Sequence, residues 1–359
     1  MTDIDVVVVG AGPIGLEVAS ALKRGGASYI HFEAEQIGST IQRWPKNTKF
    51  FSSPERVAIA GVPIQTVDQD MLTGEHYLAY LRGVVELLDL EVHTYERVTR
   101  IERIGARFVV HTEKRSGNST YRCARLVLTT GDMNGPSTLG VPGEDLPHVD
   151  HYFDDPHPFF KQKLVIVGGR NSAVEAAIRC FRAGADVTIS YRQSAFDSNR
   201  INSRLHLEIS ILTSKGYVGF LPSTTVREIR ESSIILLDSS GTDKRVDADF
   251  VLLLTGFKAD TTLLEQAGVE FRPGDADPIY NPETMETTVP GLYVAGTICT
   301  GKKQSKRHFI GTSHHHAQKI AREITGEWID LVGTIGARAY PFSRKDIDVT
   351  SNDSQRESY

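Results

Sequence analysis

The sequence is poor in the residues that mark several common protein classes. Only three cysteines occur in 359 residues, Cys123, Cys180 and Cys299, and none forms a Cys-x-x-Cys pair. A disulfide-stapled domain and an internal dithiol relay of the Cys-x-x-Cys kind are therefore excluded. No apolar run approaches the roughly 20 residues needed to span a bilayer. The formal charge of -5 indicates neither a nucleic-acid partner nor an anionic membrane.

The chain also leaves little room for a targeting segment. The first strand is predicted to begin by Ile4, so we expect no signal or transit peptide. With so few cysteines, this predicts a cytoplasmic protein. Residues 336–359 are polar and aperiodic, which predicts a C-terminal tail outside the folded domains.

What the sequence does contain is a strand, a glycine turn and a helix at its start. Val6–Val9 is a β-branched run typical of a parallel strand covered on both faces. The turn GAGPIG then places Gly10, Gly12 and Gly15 at G-x-G-x-x-G spacing. These glycines allow a tight turn, the approach of a pyrophosphate and close helix packing, and the helix N-terminus offers N–H groups to phosphate.

The acid that completes this pattern follows the next strand. Gly25-Gly26 ends the helix, and SYIHFE reads as a strand that finishes at Glu33. A carboxylate there can accept hydrogen bonds from an unphosphorylated ribose. The sequence therefore predicts dinucleotide binding, with a purely structural βαβ unit as the alternative.

A second stretch, KLVIVGGRNSAVEAA at 163–177, repeats the plan. Gly168 supplies the turn, Ala173 the helix-packing position and Gly184 the helix stop. Arg170 stands where the first turn has Gly12. We expect this turn to bow outward so that the guanidinium grips the phosphates; the alternative is a site that has decayed.

The second unit also differs in the residue that faces the ribose. Seven positions beyond the helix-stop glycine, the first unit has Glu33 and the second has Tyr191, followed by Arg192. A guanidinium pairs with a 2′-phosphate, which a carboxylate would repel. This predicts a preference for NADP(H) over NAD(H), with a solvated charge at the strand end as the alternative.

Further strands and one helix close the pattern. RLVLTTG and FVLLLTG each end in Thr-Gly, and VPGLYVAGT adds one more strand with an Ala-Gly exit. TSHHHAQKIAREITG predicts a helix capped by Thr312 or Ser313 and stopped by Gly326. Its consecutive histidines point about 100° apart, so no metal site is predicted. The loop 301–308 is basic and could dock an anionic acceptor, or be an ordinary solvated loop.

These features together resemble the thioredoxin-reductase-like flavoproteins, and within them the bacillithiol disulfide reductase family. The resemblance is carried by FFSSPERVAI (50–59), GVPGEDLPHVDHYFDDPHPFF (140–160), the second glycine turn and NPETMETTVPGLYVAG (281–296). It implies an α/β fold with two Rossmann-like dinucleotide-binding domains, the NADPH domain being inserted into the FAD domain. The FAD domain would comprise 1–150 and 281–335, and the NADPH domain 151–280.

The motifs and the resemblance assign cofactor-binding residues but no catalytic residue. The residues expected around FAD are Gly10, Gly12, Pro13, Ile14, Gly15, Glu33, Ala34, Ser39, Thr40, Gln42, Val98, Thr130, Gly131, Gly296, Thr297 and His316. The residues expected around NADPH are Gly168, Gly169, Arg170, Asn171, Ser172, Ala173, Tyr191, Arg192 and Gly256.

Two residues depart from what the resemblance implies. Members of that family have a cysteine at the position of Ile14, proposed for thiol-disulfide exchange, and isoleucine has no thiolate. Thr297 replaces an aspartate of wider flavoprotein relatives, and its hydroxyl can still hydrogen-bond the flavin's ribityl chain. Cys299, in AGTICTGKK, is the one thiol predicted near the flavin, where a packing role is the simpler interpretation.

Three enzymatic hypotheses and one non-enzymatic hypothesis follow. The first is NADPH-dependent reduction of a low-molecular-weight thiol disulfide such as bacillithiol disulfide. The second is a ferredoxin- or flavodoxin-NADP reductase, which needs no cysteine. A flavin monooxygenase is the third, although VPGEDLPH does not match the Phe-x-Gly-x-x-x-His signature. A flavin-bound redox sensor is the non-enzymatic alternative, and by analogy we expect a homo-oligomer.

Overall fold

The chain forms two units that alternate along the sequence. The computed structural model describes residues 3–273, 277–300 and 308–331. Of the described residues, the first unit comprises those up to Arg43, Asn47–Asn134 and those from Lys258 to Leu331, and the second comprises Trp44–Lys46 and Gly135–Phe257. Most of the basic loop, 301–307, and the tail at 336–359 lie outside the described residues.

Both ends of the long second segment come earlier than the predicted limits of 151 and 280. The strand at Val149–Asp150 joins the sheet of the second unit. Leu264, Val269 and Met285 are buried in the core of the first unit. A domain limit is set by where side chains are buried, and the glycine motifs used for the prediction do not report burial.

The described elements alternate between strands and helices. The strands are β1 (Asp3–Val9), β2 (Tyr29–Phe32), β3 (Arg97–Ile104), β4 (Arg107–Lys114), β5 (Gly117–Leu128), β6 (Gly135–Pro136), β7 (Val149–Asp150), β8 (Lys163–Val167), β9 (Asp186–Tyr191), β10 (Gly219–Pro222), β11 (Thr225–Arg230), β12 (Ser233–Leu237), β13 (Asp243–Asp247), β14 (Phe250–Leu253), β15 (Phe257–Lys258) and β16 (Leu292–Val294). The helices are α1 (Pro13–Arg24), α2 (Ser39–Gln42), α3 (Pro54–Val57), α4 (Gly74–Leu87), α5 (Asn171–Arg182), α6 (Ser203–Ser214), α7 (Thr262–Gln266) and α8 (Ile310–Thr325), with 3-10 turns at His157–Phe159 and Gly296–Thr300.

The first unit is built on a mixed sheet of order β2-β1-β5-β4-β3. Strand β1 pairs in parallel with β2 and β5, and the end of the long β5 pairs in parallel with β16. Strands β3 and β4 extend the sheet as an antiparallel meander. Val6, Val7 and Val8 are fully buried, as the continuous apolar run predicts for a strand covered on both faces.

The second unit repeats a parallel sheet and adds a small antiparallel one. Its parallel strands have the order β10-β9-β8-β14-β7, and β11, β12 and β13 form the antiparallel sheet. Its core contains α5, whose Ala173, Ala176 and Ala177 are fully buried. The predicted α/β class with two strand-turn-helix units is confirmed.

The glycines predicted to end α1 and α8 do so, whereas the predicted N-terminal cap of α8 is not observed. Gly25 caps α1 and Gly326 caps α8, as predicted. The predicted cap of α8 at Thr312 or Ser313 is wrong, because Phe309 is the N-cap residue. Thr312 lies in the first turn, and its hydroxyl accepts the N–H of Phe309 at 2.9 Å. Among the described residues, none of the helices combines the length and the apolar character that crossing a membrane requires.

Candidate functional site

The first glycine turn leaves its ligand-facing side open. Gly10 has a φ of 101°, which favours glycine, and the space where a side chain of Gly12 would begin contains no atom within 4 Å. The Ala11 N–H donates to a carboxylate oxygen of Glu33 at 2.6 Å, and the Ala11 carbonyl accepts the N–H of Gly38 at 3.0 Å. The turn is therefore held from one side, while the space beside Gly12, the N-cap residue of α1, is open.

Two side chains hold the same turn from beneath. The Gly10 carbonyl accepts a hydrogen bond from the Thr129 hydroxyl at 2.7 Å and lies 2.8 Å from Nε2 of His31. Burial lowers the pKa of His31 to about 4, so the ring is neutral and Nε2 is its donor at neutral pH. Sequence reasoning missed both residues; the Thr-Gly signal had pointed to Thr130 and Gly131, one position later.

Glu33 is buried and keeps capacity for a ligand. Its carboxylate accepts the N–H of Ala11 on one oxygen and the N–H of Glu35, at 2.9 Å, on the other. An ionised carboxylate has about four acceptor sites, so two remain. The Glu33 carbonyl accepts the N–H of Glu96, two residues before the buried Val98, which brings the start of β3 beside this acid.

A second group of expected residues meets where β16 ends. A side chain on Gly296 would begin 3.4 Å from Ile14, so the N-terminal turn of α1 packs against this exit. The N–H of Gly296 donates to Nδ1 of His316 at 3.1 Å. Gly131 and Thr297 are neighbours too, because a side chain on Gly131 would begin 3.7 Å from the Thr297 hydroxyl. Five of the expected residues, Ile14 among them, therefore lie at or beside the carboxyl ends of parallel strands, where α/β sheets bind ligands.

His316 is a neutral, buried ring in this group. Burial, aided by the nearby His315 and His308, holds its pKa well below the ordinary value. Because Nδ1 accepts from Gly296, the proton of the neutral ring lies on Nε2. Its ring stands edge-on to those of His308 and His315, with centroids 5.0 and 4.5 Å away. Within the described ranges, no group of three or more histidine, cysteine or acidic side chains is arranged to hold a metal ion.

The remaining expected residues of the first unit range from buried to exposed. Pro13 and Gly15 lie in the first turn of α1, and Gly15 is too close to the Gly10 carbonyl to accept a methyl group. Ser39 and Ala34 are half-buried, whereas Thr40 and Gln42 on α2 are exposed. Their assignment to FAD stays a prediction.

The cysteines are poor nucleophiles. Burial raises the pKa of Cys123 and of Cys180 to about 12. Burial also raises the pKa of Cys299, although a hydrogen bond with Tyr280 opposes the shift. Each thiol is therefore protonated at neutral pH, and the thiolate is the form that attacks disulfides. Cys299 fits the packing role.

The second glycine turn is built differently from the first. A side chain on Gly169 would begin 2.5 Å from the ring of Tyr191, so that ring covers the turn. Arg170 is the N-cap residue of α5 in an extended conformation. The Asn171 side chain accepts the N–H of Asn202 at 2.8 Å, which fastens the loop before α6 to the turn.

The aromatic character of the second turn continues along the same unit. Tyr191 is buried and stacks on Phe196, which stacks on Phe220, with ring centroids 6.0 and 4.4 Å apart. Tyr191 thus supports the turn, while Arg192 is the exposed residue at the end of β9. Ser172 and Gly256 are exposed and Ala173 is buried, as its helix-packing role requires. Gly168 lies against the Leu254 carbonyl, beside the end of β14.

Relatives of known name cover nearly the whole chain. The model of the family "Pyridine nucleotide-disulphide oxidoreductase" matches residues 7–296. Bacilliredoxin reductase Bdr of Bacillus subtilis (strain 168) is 33% identical over 319 residues, which cover 89% of this chain and 96% of that protein. A ferredoxin–NADP reductase of Ignicoccus hospitalis is 27% identical over 305 residues, covering 84% and 92%.

Solved structures agree with the fold. Bacillithiol disulfide reductase Bdr from Bacillus cereus superposes with a TM-score of 0.87 at 31% identity, covering 90% of this chain and 99% of that one. The thioredoxin reductase of T. acidophilum shares the fold with a TM-score of 0.69 at 20% identity. The resemblance drawn from the sequence is confirmed. The chain belongs to the pyridine nucleotide-disulphide oxidoreductase family and is an NAD(P)H-dependent flavoprotein oxidoreductase.

Proposed function

We propose that the chain takes electrons from NADPH, passes them through FAD and delivers them to an external acceptor, in the first place a low-molecular-weight thiol disulfide. The observation that supports this most is the open first turn beside Ile14 and Gly296, in a chain 33% identical to a bacilliredoxin reductase. The B. cereus relative is named a bacillithiol disulfide reductase, which is why bacillithiol disulfide is the first acceptor to test.

FAD would be held by the residues of the first unit. The N–H groups at the N-terminus of α1, beginning at Gly12, would bind its pyrophosphate, and the spare acceptor sites of Glu33 would bind ribose. Gly131 and Thr297, which follow the ends of β5 and β16, would lie beside the flavin part of FAD. The neutral His316 would present its Nε2–H as a hydrogen-bond donor. When bound, FAD supplies the capacity to accept a hydride and release electrons to a second partner.

NADPH would be held by the second unit. The turn at Gly168–Asn171 and the N-terminus of α5 would face its pyrophosphate, with the Arg170 guanidinium adding positive charge. The exposed Arg192 would pair with the 2′-phosphate. Tyr191 would shape this site, because its ring packs against Gly169.

One observation favours a second candidate function, a ferredoxin- or flavodoxin-NADP reductase. Ile14 carries no thiol, and the three cysteines are buried with raised pKa values. The described residues therefore offer no thiolate for a mixed disulfide, so an acceptor that takes electrons without bond exchange fits the site as well.

Two measurements test the proposal. The purified protein should be yellow, and NADPH should bleach it anaerobically faster than NADH. The NADPH-reduced protein is then mixed in a stopped-flow instrument with bacillithiol disulfide, a ferredoxin or a flavodoxin. Reoxidation by the disulfide supports the first candidate, and reoxidation by the carrier proteins alone supports the second. A protein that is not reduced by either nucleotide contradicts both.

A further inference from the structure

A partly buried strap contacts the N-terminal halves of α1 and α8 in the first unit. We define the strap as residues 56–62, from Arg56 to Val62. The N–H groups of Arg56, Ala58 and Val62 donate to nearby backbone carbonyls, and several of the other backbone polar groups are bound by side chains from α1, α4 and α8. These contacts are the Arg56 carbonyl with His314 (3.1 Å), the Val57 carbonyl with Tyr77 (2.7 Å), the Ile59 N–H with Tyr80 (2.7 Å), the Ala60 N–H with Glu17 (3.0 Å) and the Val62 carbonyl with Tyr80 (2.8 Å).

His314 differs from the other side chains that hold the strap because both of its ring nitrogens face acceptors. Nδ1 lies 2.9 Å from a carboxylate oxygen of the fully buried Glu17, and Nε2 lies 3.1 Å from the Arg56 carbonyl. Only the imidazolium can donate from both nitrogens. Burial alone would lower the pKa of His314, but the Glu17 carboxylate and the Arg56 carbonyl together raise it.

This ion pair lies one helical turn from the candidate site. Glu17 follows Ile14 by three positions on α1, so the two side chains share a face of the helix about 5 Å apart along its axis. Ile14 packs on Gly296, and on α8 the residue bound to Gly296 is His316. The strap also touches α8 closely, since a methyl group on Gly311 would begin 2.9 Å from the Arg56 carbonyl.

We propose that doubly protonated His314 is a positioning residue that locks the strap against α1 and α8, and that loss of its proton frees the strap and slows electron delivery to the acceptor. The second part rests on the proposed function. When the proton leaves to solvent, one ring nitrogen becomes an acceptor facing an acceptor. Either the Glu17 carboxylate or the Arg56 carbonyl then loses its hydrogen bond from the ring, and the Glu17 carboxylate keeps the one from the Ala60 N–H. Loss of a hydrogen bond is most costly at a buried group such as the Glu17 carboxylate.

The direction of the pH dependence follows from the raised pKa. The lock is at full strength below the ordinary histidine value of 6.5. It is lost as the pH rises through the higher value that applies with the strap closed. The titratable groups on the helices that hold the strap are Glu17, Lys23 and Arg24 on α1, Glu55 and Arg56 on α3, Glu75, His76, Tyr77, Tyr80, Arg82 and Glu86 on α4, and His315, His316, Lys319, Arg322 and Glu323 on α8. The tyrosines have raised pKa values and do not titrate in this range.

Amide hydrogen exchange of Ile59 and Ala60 tests the lock without any acceptor. We expect the protection of both amides, corrected for intrinsic exchange, to fall on alkalinisation by about tenfold for each unit by which the pKa of His314 is raised. In Glu17→Gln the loss should move to lower pH, because the neutral amide no longer favours the imidazolium. Tyr80→Phe is the matched comparison: it should weaken protection equally at every pH. His206→Gln, on α6, should change nothing.

The functional half is tested by oxidation of the NADPH-reduced protein with bacillithiol disulfide and with a ferredoxin. The rate should fall on the alkaline side with the same midpoint as strap protection, and this midpoint should shift in Glu17→Gln. The rate of flavin reduction by NADPH should not show this midpoint. The inference is overturned if the exchange protection of Ile59 and Ala60 does not depend on pH. It is also overturned if the oxidation rate does not change with that protection. A colourless protein contradicts the proposed function instead, and the exchange result still decides whether the lock exists.

Discussion

The two glycine turns of this chain start from the same strand-turn-helix plan and reach opposite solutions. In the first, the space beyond Gly12 is open, and His31 and Thr129 hold the Gly10 carbonyl from beneath. In the second, the Tyr191 ring fills the space beside Gly169, and Arg170 takes the position of the open glycine. The first turn leaves open space beside Gly12, whereas the second has an arginine at the corresponding position and packs against the ring of Tyr191. The lesson is that the motif fixes the path of the backbone, while residues distant in sequence decide what surrounds each turn.

The largest effect is expected from charge placed in the open turn. Gly12→Glu puts a carboxylate beside the donors that would face the FAD pyrophosphate, and like-charge juxtaposition costs several kcal/mol. We expect FAD affinity to fall by about 100-fold or more, with little change in thermal stability because the space is empty. Reconstitution of the apoprotein with FAD, followed by fluorescence, measures this. Gly12→Ala is the uncharged control, and equal FAD affinity of Gly12→Glu and wild type would place the pyrophosphate elsewhere.

Acid is expected to weaken the first turn through His31. The native pKa of about 4 lies below the ordinary 6.5, so the unfolded chain binds the proton first as the pH falls. The contribution of His31 is present above pH 6.5 and declines toward pH 4, by about 3 kcal/mol in total. Urea unfolding across this range should show a shallower acid loss in His31→Phe than in wild type. His206→Phe, in the second unit, is the control. Parallel curves for His31→Phe and wild type would show that His31 is not buried as a neutral ring.

In the second turn, a glycine substitution should lower the stability of the fold and leave ligand binding less affected. Gly169→Ala drives a methyl group into the Tyr191 ring, and overpacking costs about 1–3 kcal/mol. Chemical denaturation should detect this loss. The double variant with Tyr191→Leu should recover part of it, since the smaller side chain makes room. If the losses in unfolding free energy of the two single variants simply add in the double variant, Gly169 and Tyr191 are not in tight contact.

The fourth effect concerns coenzyme choice. If Arg192 pairs with the 2′-phosphate, Arg192→Glu removes a charge-assisted contact of about 1.5–3 kcal/mol. The ratio of kcat/KM for NADPH over NADH should then fall by about tenfold or more. Arg204→Glu, on the exposed start of α6, is the matched control. An unchanged ratio in Arg192→Glu would show that the 2′-phosphate is recognised by other residues.

The comparison also shows which parts of the structure the sequence could reveal. Val6–Val9, Gly10, Gly25 and Gly326 were predictable because strand runs and helix stops depend on residues a few positions apart. His31 and Thr129 were not, because they meet Gly10 only after β2 and β5 pair with β1. The same holds for the contact of Glu17 with His314, 297 positions apart. The N-cap of α8 was misplaced because Thr312 caps from within the helix, which the cap-residue rule does not anticipate.

The central claim is that one chain carries electrons from a pyridine nucleotide bound in the second unit to a flavin bound in the first. Its most direct test is anaerobic mixing of the purified, flavin-loaded protein with NADPH while the flavin absorption band is followed. The account predicts rapid and complete bleaching by NADPH and slower bleaching by NADH. A protein that cannot retain added FAD, or whose bound flavin stays oxidised with NADPH, would contradict it.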